Sequence, residues 1–135
     1  MLKKLNVILG LVALFLFVSC DDKKDDEIVV VQNEIFNTWK LVNPNANVEL
    51  LVRPDYTFHV DVLLNEEIEV EGRIELDQNK ISFINIQGSD PMSSDPRPGV
   101  YYYEIKSDTI RFTLINDPLE RRAGFLASPW VKNVD

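Results

Sequence analysis

This chain of 135 residues has one cysteine, one histidine and five glycines, and each shortage removes a class of function. The lone cysteine, Cys20, excludes an internal disulfide framework and any cysteine-rich metal centre. The lone histidine, His59, cannot complete zinc's usual ligand set, and between Phe58 and Val60 it takes an outward strand position, unsuited to a Ser/His/Asp set. The scattered glycines form no phosphate-cradling loop, which sets nucleotide enzymes aside. Long hydrophobic runs are missing too. The one extended apolar stretch, residues 5–18, "LNVILGLVALFLFV", falls short of the about 20 residues that a spanning helix needs.

That stretch follows Lys3 and Lys4, so residues 1–19 read as a cleaved export signal. Its end, Phe17-Val18-Ser19-Cys20, resembles the bacterial lipobox, with Phe in place of the usual Leu. The resemblance implies that Cys20 is acylated and becomes the mature N-terminus, anchoring the chain without a spanning helix. Each buried acyl methylene contributes about 0.8 kcal/mol to such an anchor. Residues 21–27, "DDKKDDE", are wholly charged and offer nothing to bury, so 20–33 is expected to be a solvated tether. An acidic run in that place also resembles surface-export signals of Bacteroidetes-type envelope lipoproteins, which implies an outer-membrane, surface-exposed location. Loss of Lys3 and Lys4 leaves 12 of the 14 basic residues against 22 acidic ones, which disfavours nucleic acid as a partner.

From Ile35 onward the apolar residues alternate. In "IEVEGRIEL", Ile68, Val70, Ile74 and Leu76 share one face and Glu69, Glu71, Arg73 and Glu75 the other. "TFHVDVLL" turns Phe58, Val60, Val62 and Leu64 inward, and "DTIRFTLI" does the same for Ile110, Phe112 and Leu114. The pattern predicts strands over 36–43, 47–53, 57–64, 67–76, 80–87, 99–106, 108–116 and 129–133, with a short helix over "PLERRAGFLAS" capped by Asp117 and started by Pro118. The expected fold is an all-β, eight-stranded antiparallel up-and-down barrel over 34–135. The even-numbered loops are tight hairpins, whereas the odd-numbered ones include every long connection. One end is therefore closed and the other decorated and open.

Several segments resemble the small lipocalin-like domains of bacterial envelope proteins. Asn37-Thr38-Trp39 stands where that family has Gly-Thr-Trp, and "RPDYTF" is similar to its Asp-Gly-Thr-Phe turn. "PGVYYYEIKSDTIRFTLINDPLERRAGFL" is similar to its Pro-Gly-x-Tyr start, Asp-Thr hairpin and Asp-Pro-x-x-x-Arg helix. Arg122 takes the family arginine's place and Trp130 follows, so Trp39, Arg122 and Trp130 are expected to be structural. Arg97 and Leu119 replace cysteines that many relatives carry, so no disulfide ties the long loop to the helix.

Inward aromatics, each burying roughly 150–250 Å², predict a mostly filled barrel. A shallow pocket is expected only near the decorated end, where Asn45, Asn47, Asn65 and the 88–99 loop converge. The candidate ligand contacts are Trp39, Phe58, Phe83, Tyr101 and Tyr103, although the tyrosines equally suit a core or a partner-binding patch. Asn45, Asn65, Asp90, Asp95 and Arg97 are the candidate rim contacts. The outward carboxylates of Glu66, Glu67, Glu69, Glu71 and Glu75 alternate along strands without wrapping an ion, so neither metal nor cofactor is expected. Together these features predict a non-catalytic, membrane-anchored envelope protein whose open end binds a small apolar ligand or a protein partner. The alternative is an interaction or inhibitor module with a solid core, acting through its rim loops.

Overall fold

The computed structural model describes residues 32–63, 67–89 and 91–135. Cys20, the export signal, most of the tether, Leu64, Asn65 and Asp90 lie outside the described residues. Among the described residues, eight antiparallel strands close into a barrel in sequence order. They are β1 (Thr38–Leu41), β2 (Asn47–Val52), β3 (Thr57–Leu63), β4 (Glu67–Asp77), β5 (Lys80–Gly88), β6 (Gly99–Lys106), β7 (Thr109–Asn116) and β8 (Trp130–Lys132). Among the described residues one α-helix, α1 (Glu120–Leu126), precedes β8, and 3-10 turns span Gln32–Ile35 and Pro91–Ser94. The alternating pattern thus gives the expected barrel, because one face of each strand can leave water only by turning inward.

The helix begins later than its sequence signals suggest. Its N-cap is Leu119, with no side-chain cap bond, and Pro118 lies outside the helix. Asp117 is not the cap: its Oδ1 accepts the Leu119 N–H at 2.8 Å, and the rest of the carboxylate is engaged by Arg122 and Tyr101.

Two bulges modify the alternation. Between β4 and β5 the pairing steps from Glu71↔Gln87 to Gly72↔Asn85, leaving Ile86 without a partner. Asn85 is thereby buried, while Gln87 emerges and its amide donates to Glu71 at 2.7 Å. Opposite Asn85, a side chain on Gly72 would overlap the Phe58 ring and the Ile84 carbonyl, so glycine admits that close approach. A second shift between β6 and β7 leaves Ile115 as the extra residue.

Leu114, expected inside, is 55% exposed. The cause is tertiary: β8 pairs only with Thr109 and Ile110, so β7 from Arg111 onward has no strand on that side to cover Leu114.

The closed end is packed tightly. Ile35 is fully buried, and its carbonyl accepts the Trp39 indole N–H at 2.9 Å. Phe36 meets Tyr56 edge-on at 5.7 Å. Above this plug, Phe58, Phe83, Tyr101 and Phe112 form an edge-to-face cluster with centroids 5.3 to 6.3 Å apart.

Candidate functional site: an apolar cavity under the helix

The barrel is not filled. A cavity of about 230 Å³ opens above the aromatic cluster, lined by Leu50, Val60 and Val62 from β2 and β3, by Ile68 and Val70 from β4, and by Phe58 and Phe83 beneath. Leu119, Arg121, Arg122, Phe125 and Leu126 bring the helix region over it, Trp130 lines it from β8, and Ser93 and Asn85 complete the wall. The cavity lies at the decorated end, where a pocket is expected, but it is deeper than a shallow one because the inward residues of the open half of β3 and β4 are mostly valines. A short helix spans the mouth above them without reaching down to fill the space.

Of the five aromatic residues proposed as ligand contacts, Phe58 and Phe83 line the cavity. Trp39, Tyr101 and Tyr103 are buried but committed elsewhere. Trp39 bonds Ile35, the Tyr101 hydroxyl donates to Asp117, and the Tyr103 hydroxyl donates to the Gln78 carbonyl at 3.3 Å. Trp130, expected to be structural, is both buried and part of the wall. Phe125, Asn85 and Ser93 were not singled out from the sequence, and Leu119 was noted there only as the replacement of a cysteine. The helix residues carried no signal because nothing local says which way a seven-residue helix folds back.

The rim residues divide. Asn45 lies exposed in the β1–β2 loop, where its N–H donates to Asn43 Oδ1 at 2.9 Å, and it takes no part in the cavity. Asp95 and Arg97 form an exposed ion pair at 2.7 Å, and the Arg97 hydrogen bonds lower the Asp95 carboxyl to about 2. Of the pocket expected around Asn45, Asn47, Asn65 and the 88–99 loop, the cavity takes, among the described residues, Ser93 alone.

A buried polar network holds the mouth. Arg122 donates from Nε and Nη2 to the two oxygens of Asp117, each at 2.7 Å, from Nη1 to Asn85 Oδ1 at 3.1 Å, and from Nη2 to the Arg97 carbonyl at 2.8 Å. The Asp117 side chain is wholly buried, and that of Arg122 nearly so. Burial alone pushes the Asp117 carboxyl up, but Arg122, the Tyr101 hydroxyl and the Leu119 N–H outweigh it and hold the group below its usual range. Burial and the same carboxylate push the Tyr101 hydroxyl up.

This network lies where β5 and β6 part. Their pairing stops at Phe83↔Gly99, and Arg122 bridges the gap from Asn85 to the Arg97 carbonyl. It fastens the long loop to the helix region. A side chain on Gly99 would overlap Asp117 and Arg122, so glycine at the start of β6 makes room for the pair.

On the outer face, ligand-type atoms of His59, Asp61 and Glu69 lie within 4.8 Å of one another, and His59 Nδ1 is 3.3 Å from Glu71 Oε1. These groups project from two adjacent strands, as the alternation predicts for the water-facing side.

No family model, curated protein or solved structure matches this chain.

Proposed function

We propose that this protein is a non-catalytic envelope lipoprotein whose lipocalin-like barrel binds a small apolar ligand at its open end. The apolar cavity of about 230 Å³ carries the ligand part of the reading, since a packed protein interior retains few voids larger than a water molecule. Comparable apolar cavities of about 150 Å³ stay dry and take up benzene. The anchor part rests on Cys20 and its flanking segments. The first strand starts at the closed end, so an N-terminal tether points the cavity mouth away from an outer-membrane surface.

One experiment separates the two parts. Full-length chain carrying Cys20→Ser is expected to leave the membrane fraction and to show, by native mass spectrometry without detergent, a co-purifying apolar adduct of low mass. Unchanged membrane association sinks the anchor. No adduct, together with no thermal shift on adding apolar probes, sinks the carrier.

A second reading, a rim that docks a protein partner, is favoured by one observation. Val42, Leu63, Ile86, Leu114 and Ile115 are all exposed and all fall in the open half of the barrel. Five of the nine large hydrophobic residues exposed among the described residues lie in that half, a grouping that suits a protein contact better than water.

A further inference from the structure

The charged residues around the cavity run against the composition of the chain. The protein carries 22 acidic residues and 14 basic ones, yet among the described lining residues the charged members are Arg121 and Arg122, with no carboxylate beside them. Arg122 is already neutralised. Its guanidinium lies against the wholly buried Asp117, and the two charges cancel in the clamp at the mouth. Arg121 is placed differently: it is exposed, one residue before that clamp, in the first turn of α1. An arginine that is exposed and still lines an apolar wall does so with its methylene stem, which leaves the guanidinium in water at the rim. Arg121 has contacts of its own, but contacts at an exposed site are weak, and its five N–H donors exceed what one neighbour uses.

The wall dictates how a ligand lies. Aliphatic and aromatic side chains make nearly all of it, so a polar head drawn inside would lose its hydration without compensation. A tail enters and a head stays at the mouth. Scaling from benzene in about 150 Å³, a cavity of about 230 Å³ holds about nine tail atoms. At the rim the head keeps its water and meets the Arg121 guanidinium, whose planar fork matches an anionic group such as a carboxylate. Resting on the ligand-carrier reading above, we infer that the cavity takes an amphiphile tail first: an aliphatic chain of about nine carbons whose anionic head is held at the rim by Arg121.

The test uses full-length Cys20→Ser chain near pH 7 and three probes with one tail and different heads, octanoate, 1-octanol and octylammonium, titrated by calorimetry. With the heads outside, the tails contribute equally. Octanoate is then expected to bind about fivefold more tightly than octanol, the size of one exposed ion pair, and octylammonium more weakly than either. A fully engulfed ligand predicts the reverse order for the first two, because a carboxylate costs more to desolvate than a hydroxyl. The acidic surplus of the whole chain predicts the reverse for the first and last. Raising the salt to about 1 M should erase the preference for octanoate, since an exposed charge is screened within about 3 Å there.

Arg121→Gln is expected to bring the octanoate-to-octanol affinity ratio from about five down to about one. Arg73→Gln, which removes the same charge from an exposed site opposite Thr57 at the closed end, should keep the ratio. If octanol binds as tightly as octanoate, or Arg73→Gln lowers the ratio as far as Arg121→Gln does, the carrier reading stands and the anionic-head inference falls. If none of the three binds, both fall together.

Discussion

The two ends of this barrel are built from the same alternating strands, yet one is solid and the other hollow. At the closed end, short hairpins bring neighbouring strands back at once, and Ile35, Trp39 and Val52 pack with less than a few per cent exposure. The tightness has a local cost: Tyr56, Gln78 and Ser107, one in each closed-end turn, adopt left-handed backbone conformations. Asp55 offsets part of that cost by accepting the Thr57 N–H and hydroxyl, which also keeps its carboxyl below the usual range. At the open end the strands part, and a buried ion pair with its hydrogen bonds replaces apolar packing. Solidity follows from connection length: short turns force side chains together, whereas long connections let a polar clamp and a helix stand over an empty space.

The largest expected effects break one end at a time. Asp117→Ala leaves the Arg122 guanidinium without its carboxylate and is expected to cost about 3–5 kcal/mol in urea unfolding at pH 7. Trp39→Ala at the closed end is expected to cost a similar amount, about 3–5 kcal/mol, through lost packing.

The two differ in their pH dependence. Because the folded Asp117 carboxyl lies below its ordinary range, its contribution is complete above about pH 4, the unfolded value, and fades as pH falls through the folded one. The gap between wild type and Asp117→Ala should therefore narrow on acidification, while the Trp39→Ala gap should not narrow in parallel. Parallel curves for the two variants are the outcome that contradicts the clamp.

Enlarging a side chain sharpens the contrast between solid and hollow. Val52→Phe enters a packed region and should cost about 1–3 kcal/mol, whereas Val70→Phe projects into the cavity and should cost under about 1 kcal/mol while blocking ligand uptake. Equal penalties in chemical denaturation are incompatible with a void at Val70.

The smallest effects concern the backbone, with opposite substitutions at the two ends. Ser107→Gly relieves a left-handed residue in a closed-end turn, and Gly124→Ala fills an exposed helical site where a methyl group meets nothing within 4 Å. Each is expected to raise stability by about 0.5–1 kcal/mol, read as a small rise in Tm. Ser107→Ala, which leaves a non-glycine residue in the left-handed conformation, should give no such gain.

The strands were legible because a half-buried strand writes its two faces into alternate residues. The stretch 67–76 was expected where Glu67–Asp77 forms, and 99–106 coincides with Gly99–Lys106. Expectations of burial failed where neighbours decide: Leu114 follows the inward pattern yet lies beyond the reach of β8. The aromatic contacts were half legible for the same reason. Inward placement was readable for Trp39, Phe58 and Phe83, and for Tyr101 and Tyr103 only that they share a face; whether each meets the void or the packed core depends on where the helix lands. The role of Arg122 came from a resemblance, and its partners Asp117 and Asn85 were missed, since Asp117 looked like a helix cap and Asn85 turns inward only after a bulge.

By itself, the sequence determined the all-β class, the order of the strands and the inequality of the two ends, because period-two alternation and turn chemistry act between near neighbours. Its N-terminal segments also supply every argument for export and anchoring. Only the tertiary structure decided that the open half is hollow and that Arg122 and Asp117 clamp its mouth. Those outcomes depend on packing between residues far apart in the chain, where the shape left over after the strands close is not written in any one of them.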